Sequence, residues 1–376
     1  VRVRADNIYT NMHAAVVEYV DRAATNGIMQ HSDQWLEIRK YTVGGSSIST
    51  ILGLNPYESM VSLVRKRLGW DKFADNISPQ WGNLFEDVIK RVVEYQKNTL
   101  VLGEDLYIDG GERRPYTSYS PDGIAVINDE IVLLEFKCPY SRIPDGKVPK
   151  YYVPQVLMGL DLMQLPTRGL FVEAVFRRCA WENLGYNSVY DITLVPESSG
   201  TLPLAFGILG FYATGEHVSE LPAVIAAFNY FGELGDNTNG YMVNDLGTTP
   251  LALFSTIMQA VDSGKIHAYY GKILHTIGDN PIDVQNQVQL MHDELDAYMA
   301  FCENKASGSG SLINIGMLPW KMFRIDYNYI SPIADYVKPH LPTIKNLCEF
   351  LQKCNDPNNA GKRMGMYESF IATCAT

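Results

Sequence analysis

The segment SPDGIAVINDEIVLLEFKCP, residues 120–139, constrains the fold of this chain more than any other. Two apolar runs flank Asn128-Asp129, a pair of residues typical of the two-residue loop of a β-hairpin. A loop of that length fixes the strand register and places Asp122 opposite Glu135. Because side chains alternate between the faces of a strand, Glu135 and Lys137 share one face, and the other face is apolar. The segment therefore predicts a buried hairpin that carries three charged side chains near its open end.

The charges on this hairpin need a physical explanation. Directly opposed residues have Cβ atoms about 4.5–5.5 Å apart, and two carboxylates at that distance repel each other. A cation between Asp122 and Glu135 would remove the repulsion, and oxygen ligands favour Mg²⁺ or Mn²⁺. Lys137 would then lie beside the ion, where it could orient or activate a water or stabilise developing charge. The alternative interpretation is a surface ion pair between Glu135 and Lys137 on a half-exposed strand.

The composition is that of an ordinary globular protein. Of the 376 residues, 46% are hydrophobic and 19% are charged, which suits one large domain or two medium ones. The net charge of −11 argues against a nucleic-acid coat protein, but it permits an enzyme that concentrates a few cations in one cleft. Six cysteines lack metal-ligand spacing, and no apolar run is long enough to span a bilayer. We therefore expect a soluble intracellular protein in a reducing compartment, with no membrane partner.

The order of predicted elements indicates one α/β domain with an interruption. We expect strands at 104–109, 123–127, 131–138, 169–177 and 187–195, and helices at 7–26, from Ser32, after Ser78-Pro79 and at about 151–165. The helix after Ser78-Pro79 has a predicted buried stripe of Leu84, Val88, Val92 and Tyr95. Residues 200–312 become apolar and glycine-rich before a closing strand and helix return. The predicted domains are thus a first part of the core at 1–199, a largely helical insertion at 200–312, and a closing strand with C-terminal helices at 313–376.

Several further segments match one known family in order along the chain. They are WLEIRKYTVGGSS, WGNLFED, YYVPQVLMGLDLM and PWKMFRIDYNYI, in addition to SPDG and LLEFKCPYS on the hairpin. Together they resemble the lambda exonuclease and YqaJ-like viral recombinase family of the PD-(D/E)xK nuclease superfamily, most closely the enlarged versions of large DNA viruses. The resemblance implies a restriction-endonuclease-like α/β (α+β) core, a mixed central sheet flanked by helices. Two departures are Leu157, where the family has a second glutamine, and residues 200–312, which have no counterpart in the compact phage enzyme.

The resemblance also implies roles for individual residues. The implied catalytic set is Asp122, Glu135, Lys137, Gln155 and Glu86. The implied metal ligands are Asp122, Glu135 and the backbone carbonyl of Phe136, with Glu86, Asp109 and Glu112 as alternatives for a further carboxylate. The implied DNA-phosphate contacts are Arg39, Ser46, Ser120 and Tyr152. Simpler explanations are a helix N-cap for Ser46 and a carboxylate favoured by the helix dipole for Glu86. Candidate cations for the DNA backbone are Arg113, Arg114, Lys147, Lys150, Arg177 and Arg178.

The activity implied by the resemblance is that of an Mg²⁺-dependent deoxyribonuclease, in which Mn²⁺ can substitute. It would digest one strand of linear duplex DNA from a 5′-phosphorylated end and leave 3′ single strands for recombination, repair or replication. Implied partners are duplex DNA, a single-strand annealing protein and two further copies of the chain in a trimeric ring. The implied location is the cytoplasm or nucleus of a host cell. The alternatives are an endonuclease acting on DNA or RNA, and a catalytically silent nucleic-acid-binding module.

Overall fold

The computed structural model describes residues 7–30, 32–71, 77–140, 142–178, 205–214, 219, 221–222, 267–270 and 312–374. The helices in these ranges are α1 (Asn7–Ala24), α2 (Asp33–Arg39), α3 (Gly45–Ile51), α4 (Met60–Arg67), α5 (Ile77–Lys97), α6 (Val153–Met163), α7 (Leu341–Asn355) and α8 (Arg363–Cys374), with 3₁₀ turns at Lys338–His340 and Pro357–Lys362. The strands are β1 (Val43–Gly44), β2 (Ile108–Asp109), β3 (Thr117–Tyr119), β4 (Gly123–Ile127), β5 (Glu130–Lys137), β6 (Arg168–Arg178), β7 (Phe206–Thr214), β8 (His267–Tyr270) and β9 (Leu312–Ile330).

A mixed six-stranded sheet organises these elements. Its strand order is β4-β5-β6-β9-β7-β8, and a smaller sheet has the order β1-β3-β2. The β5–β6 pair is parallel and is connected through α6, whereas β9 runs antiparallel to both β6 and β7. The predicted α+β class and the return of the closing strand to the first sheet are confirmed.

The β4–β5 hairpin has the predicted register. Its ladder runs from Ile127↔Glu130 to Gly123↔Leu134. Asn128 and Asp129 form the two-residue loop with φ angles of 51° and 60°. Both residues lie in the left-handed region that this type of turn requires, which Asn and Asp tolerate better than most residues. The turn chemistry therefore fixes which side chains of β5 face one another across the hairpin.

The two faces of β5 pack against different parts of the core. Val132, Leu134 and Phe136 join a cluster with the buried face of α5. Ile131 and Leu133 join a second cluster that includes residues of α6 and α7. The sheet is therefore covered on both sides, so polar side chains on β5 lie in the interior unless they are near the strand end.

The buried stripe of α5 agrees with the predicted one only in part. Val92 is buried as predicted, but Tyr95 is 52% exposed, and Phe85 and Ile89 are buried in addition. Phe85 stacks on Phe176 of β6 with ring centroids 4.5 Å apart. The helix has apolar residues on two adjacent rows, and the aromatic surface of the sheet selects the row that contains Phe85.

Other predictions fall partly outside the described residues. The predicted strand at 187–195 lies wholly outside them, and the predicted strand at 104–109 is reduced to β2. Strand β3 was not predicted. Within 200–312, the described residues include β7 and β8, which extend the large sheet. The helical character of this range and the domain boundaries remain predictions.

Candidate active site

The hairpin brings Asp122 and Glu135 together at its open end. Gly123↔Leu134 is the last pair of the ladder, so Asp122 and Glu135 occupy the next facing positions. The Glu135 side chain is fully buried, and the Asp122 side chain is 17% exposed. One carboxylate is thus fixed inside the core, and its neighbour lies at the edge of solvent.

The Lys137 ammonium lies among the oxygen atoms predicted to bind a metal. Its Nζ donates to Glu135 Oε1 and to the carbonyl oxygen of Phe136, the latter at 2.9 Å. It lies 4.0 Å from Asp122 Oδ2, which also accepts a hydrogen bond of 2.6 Å from the Phe136 N–H. Two carboxylates and one carbonyl therefore surround a single cationic group, which belongs to the protein itself.

Two further donors hold the Glu135 carboxylate in place. Tyr119 donates its hydroxyl proton to Glu135 Oε2 at 2.9 Å, and Gln155 Nε2 donates to Oε1 at 2.5 Å. Because burying a carboxyl group is costly unless its oxygens are hydrogen-bonded, these contacts offset the cost of burying Glu135. The predicted proximity of Gln155 to the site is therefore observed, and its partner is Glu135.

Three carboxyl groups, those of Asp122, Glu135 and Glu86, face a single ammonium at this site. Burial, followed by the charge of Glu135, raises the pKa of Asp122 well above its usual range. Burial also raises the pKa of Glu86 on α5. Burial alone would lower the pKa of Lys137, but Glu135 and Asp122 raise it overall. A further cation at this position would relieve the repulsion among the acidic groups.

The chemistry of the donors fits a hard divalent cation. The Asp122 carboxylate, the Glu135 carboxylate and the Phe136 carbonyl all offer oxygen, the ligand that Mg²⁺ prefers. In the part of the chain that the structure describes, no group of three or more His, Cys, Asp or Glu side chains is arranged to hold a metal ion. The residues that would hold an ion here are Asp122 and Glu135, through their carboxylates, and Phe136, through its main-chain carbonyl.

The structure separates the three alternatives for an additional carboxylate. The electrostatic neighbours of Asp122 include Glu86, which supports its predicted place beside the site. Asp109 and Glu112 are exposed, on β2 and in the turn after it, and neither is among those neighbours. Glu86 is therefore the alternative that the structure brings to Asp122.

A second polar cluster lies where α2 meets α3. Arg39 Nη2 donates to Ser46 Oγ at 3.2 Å, and the guanidinium lies over the ring of Trp35 with its carbon 4.2 Å from the centroid. Trp35 Nε1 in turn donates to Ser120 Oγ at 3.2 Å. Ser46 is exposed, and Gly44 occupies the N-cap position of α3, so Ser46 is not the N-cap. The predicted phosphate contacts Arg39, Ser46 and Ser120 thus form one connected group beside Asp122.

A further arginine, missed in the sequence, supports this group. Arg67 at the end of α4 donates to the Thr42 carbonyl at 2.6 Å and to Ser47 Oγ at 3.2 Å. Burial lowers the pKa of Arg67 to about 10, and the nearby charge of Arg39 contributes. Within the described ranges neither arginine forms an ion pair. We call Arg39, Ser46, Ser47 and Arg67 the Arg39 pocket. Its two neighbouring cations make it attractive to an anion.

Comparison with known proteins identifies the part of the chain that contains both clusters. The family model described as the YqaJ-like viral recombinase domain matches residues 34–162. This stretch of the chain is similar to that domain. The resemblance found in the motifs is thereby confirmed, and the matched residues include Arg39, Asp122, Glu135 and Lys137.

Individual relatives of the chain are viral. A protein of one African swine fever virus isolate is 38% identical over 213 residues, which cover 50% of this chain and 61% of the relative. The same protein of a second isolate is 36% identical over 225 residues, which cover 53% and 65%. The chain thus spans less than two thirds of the length of these curated relatives.

Two solved structures also show similarity. They are crystal structures of an alkaline exonuclease, LHK-Exo, from Laribacter hongkongensis, and one of them is in complex with dAMP. Each is 20% identical with a TM-score of 0.31 and covers 38% of this chain, and the match spans 74% and 73% of those chains.

Tyr152 connects helix α6 to Lys137. It is the N-cap residue of α6, and Lys137 Nζ lies 5.4 Å from its ring centroid. Its carbonyl accepts a hydrogen bond of 3.1 Å from the Gln155 N–H. The predicted phosphate contact at Tyr152 thus lies against Lys137 rather than in the Arg39 pocket.

Several of the predicted DNA-backbone cations have other partners. Arg114 is buried and donates to both oxygens of Asp161, and Arg113 donates to the same carboxylate. Arg177 is 3% exposed and donates to the Pro139 carbonyl at 3.1 Å. The prediction is therefore wrong for Arg114 and Arg177, because burial removes both from a DNA surface. Lys147 and Lys150 are exposed, and the side chain of Arg178 lies outside the described residues.

No helix in the described ranges combines the length and apolar character needed to cross a bilayer.

Proposed function

We propose that this protein is a divalent-metal-dependent DNA exonuclease. The observation that carries the proposal is the convergence of the Asp122, Glu135 and Phe136 oxygens on the Lys137 ammonium, within a YqaJ-like domain. The substrate we infer is linear duplex DNA with a 5′-phosphorylated end, one strand of which is digested in the 5′ to 3′ direction. The product would be a duplex with a 3′ single strand.

Each residue of the site has a role in this proposal. Asp122, Glu135 and the Phe136 carbonyl would hold Mg²⁺, or Mn²⁺ in its place. When bound, such an ion acts as a Lewis acid toward a phosphodiester. Lys137, whose ammonium lies among these oxygen atoms, would stabilise the additional negative charge of the reacting phosphate. Gln155 and Tyr119 orient Glu135, so their contribution is to positioning.

The Arg39 pocket would bind the terminal phosphate. A guanidinium contacts phosphate through two parallel N–H donors, and Ser46 adds an exposed hydroxyl next to it. Ser120 connects this pocket to Asp122 through Trp35. A phosphate held here would place the end of one DNA strand near Asp122 and Lys137. An exonuclease needs this arrangement.

The family resemblance extends the proposal to assembly and partners. We infer a homotrimeric ring around the DNA, transfer of the 3′ single strand to an annealing protein, and action in the cytoplasm or nucleus of an infected host cell. Sedimentation of the purified protein with and without duplex DNA tests the ring, since a monomer in both conditions contradicts it.

The decisive experiment compares digestion of linear and closed circular DNA. The linear duplex carries a label at one 5′ or 3′ end, and each reaction contains either Mg²⁺ or EDTA, with Glu135→Ala as the inactive control. We expect Mg²⁺-dependent release of 5′ label from linear DNA and no loss of the circle. Equal digestion of circles would favour an endonuclease, and binding without digestion in any metal would favour a catalytically silent module.

A further inference from the structure

The loop between α3 and α4, residues 52–59, presents an aromatic ring to solvent. The side chain of Tyr57 is 78% exposed, the largest exposure among the large hydrophobic residues of the described chain. Leu54, three residues earlier, is 47% exposed. Isolated exposed side chains of this kind are common on protein surfaces, so exposure alone indicates no function.

Internal hydrogen bonds hold this loop in one conformation. The N–H groups of Leu54 and Asn55 donate to the Ser49 carbonyl at 2.8 and 3.2 Å. The Asn55 side chain donates to Thr50 Oγ1 at 2.9 Å and accepts from the Tyr57 N–H at 2.9 Å. The loop is therefore pre-organised, and a ligand that binds Tyr57 does not have to order it first.

Ring contacts connect Tyr57 to the Lys137 ammonium. Tyr57 packs edge-on against Tyr151 with centroids 5.5 Å apart, and Tyr151 lies 4.4 Å from Tyr152. Tyr152 in turn lies under the Lys137 ammonium. Ser49 on α3 donates to the Tyr151 carbonyl, which fixes the two segments to each other. A row of three tyrosines thus leads from Lys137 to the surface.

We propose that Tyr57 and Tyr151 form a stacking platform for an unpaired nucleobase next to the reacting phosphate. This inference rests on the proposed function, because it assigns the aromatic row to the strand that enters the site. Nucleobases are the ligand class that best fits the platform, since they stack on exposed aromatic rings regardless of sequence. The platform would hold a base separated from its complement and so keep the strand end single-stranded at the site.

A binding experiment in EDTA tests the platform without cleavage. The probe is a 5′-phosphorylated DNA hairpin whose short unpaired 5′ end contains one 2-aminopurine, a fluorescent base that is quenched when it stacks. The variants are Tyr57→Ala, Tyr57→Phe and the control Tyr95→Ala, which removes another exposed tyrosine, on α5. Circular dichroism checks that each variant is folded.

We expect quenching with the parent, Tyr57→Phe and Tyr95→Ala proteins, and its loss with Tyr57→Ala. Removal of one stacking ring should also weaken binding of this probe by about 5- to 150-fold. Equal quenching and affinity for Tyr57→Ala and the parent would overturn the proposal, as would a parent that binds without quenching. If quenching depends on Tyr57 but no metal supports cleavage, the platform stands and the nuclease proposal fails.

Discussion

The ammonium of Lys137 lies 4.0 Å from the Asp122 carboxylate while it donates to Glu135 and to the Phe136 carbonyl. One lysine therefore lies near every oxygen group that we propose as a metal ligand, although Asp122 comes from the other strand of the hairpin. This arrangement makes separate predictions for the carboxylates and for the lysine, because a ligand and a neighbouring cation affect metal binding in opposite directions.

Asp122→Ala and Glu135→Ala should each abolish Mg²⁺-dependent cleavage and leave the protein folded. Loss of a residue that only supports a metal ligand typically costs about 10- to 100-fold in activity or affinity, so we expect more than about a hundredfold loss for a ligand itself. The measurement is release of 5′ label from linear duplex. Glu130→Ala is the matched control, since Glu130 is a half-exposed carboxylate on the same strand that pairs with Arg168. Near-normal activity of either site variant would contradict the assignment.

Lys137→Ala should lose most of its activity and keep its affinity for metal. Removing the ammonium removes a positive charge beside the ligands, so Mn²⁺ should bind as tightly as in the parent or more tightly. Calorimetric titration with Mn²⁺ measures this affinity independently of cleavage. If the variant instead binds Mn²⁺ much more weakly, Lys137 holds the ligands in place and has no separate catalytic role.

Arg39→Ala should remove the preference for phosphorylated ends. A charge-assisted contact to phosphate is worth roughly 1.5–3 kcal/mol, which corresponds to about a ten- to hundredfold preference of the parent for a 5′-phosphate over a 5′-hydroxyl end. The measurement compares initial rates on the two substrates. Arg168→Ala, a change in an arginine at the start of β6 that pairs with Glu130, should keep the preference. A parent protein that digests 5′-phosphate and 5′-hydroxyl ends at equal rates would show that the Arg39 pocket does not bind the terminal phosphate.

Asp161→Asn should destabilise the fold by about 3–5 kcal/mol at pH 7, because it leaves the buried Arg114 charge without its main partner. Burial alone would raise the pKa of Asp161, but the hydrogen bonds from Arg114, Val337 and Arg113 lower it overall. A lowered folded pKa means that the stabilisation is complete above about pH 4, the value for an unfolded Asp, and is lost as the pH falls through the folded pKa.

Urea unfolding of parent and variant between pH 7 and pH 3 tests this prediction. The difference in unfolding free energy should be constant from pH 7 down to about pH 4 and should shrink below it. Asp335→Asn is the control, since Asp335 contacts the same Arg114 from a side chain that is 58% exposed and should cost about 1 kcal/mol or less. A difference that grows as the pH falls would contradict the assignment.

The hairpin and its charged face could be predicted because local chemistry determines them. Asn128-Asp129 fixes the turn, the turn fixes the register, and the register brings Asp122 to Glu135. The start of α2 was predictable for the same reason, since the Ser32 hydroxyl accepts the Trp35 N–H. In each case the deciding interaction joins residues that are close in sequence.

The contacts missed in the sequence join residues that are far apart in it. Tyr119 and Arg67 reach the two clusters only because strands and helices from different segments pack there. The buried row of α5 depends on Phe176, which lies on a distant strand of the large sheet. From the sequence alone, Arg114 cannot be distinguished from a surface arginine. Only its contact with Asp161 shows that it belongs to the core. Such pairings follow from tertiary packing, which periodicity and spacing do not encode.

The ring of Tyr119 is enclosed by two glycines. A Cβ on Gly45 of α3 would lie 2.7 Å from this ring, and a Cβ on Gly159 of α6 would lie 2.5 Å from it. Helix α3, which carries Ser46, and helix α6, which carries Gln155, therefore both pack closely against Tyr119. The hydroxyl of Tyr119 also donates to Glu135. In the exonuclease that we propose, the span between a bound strand end and the cut bond would then be a fixed length of the protein. The size of the released fragment would be set by this span, whatever the sequence of the DNA.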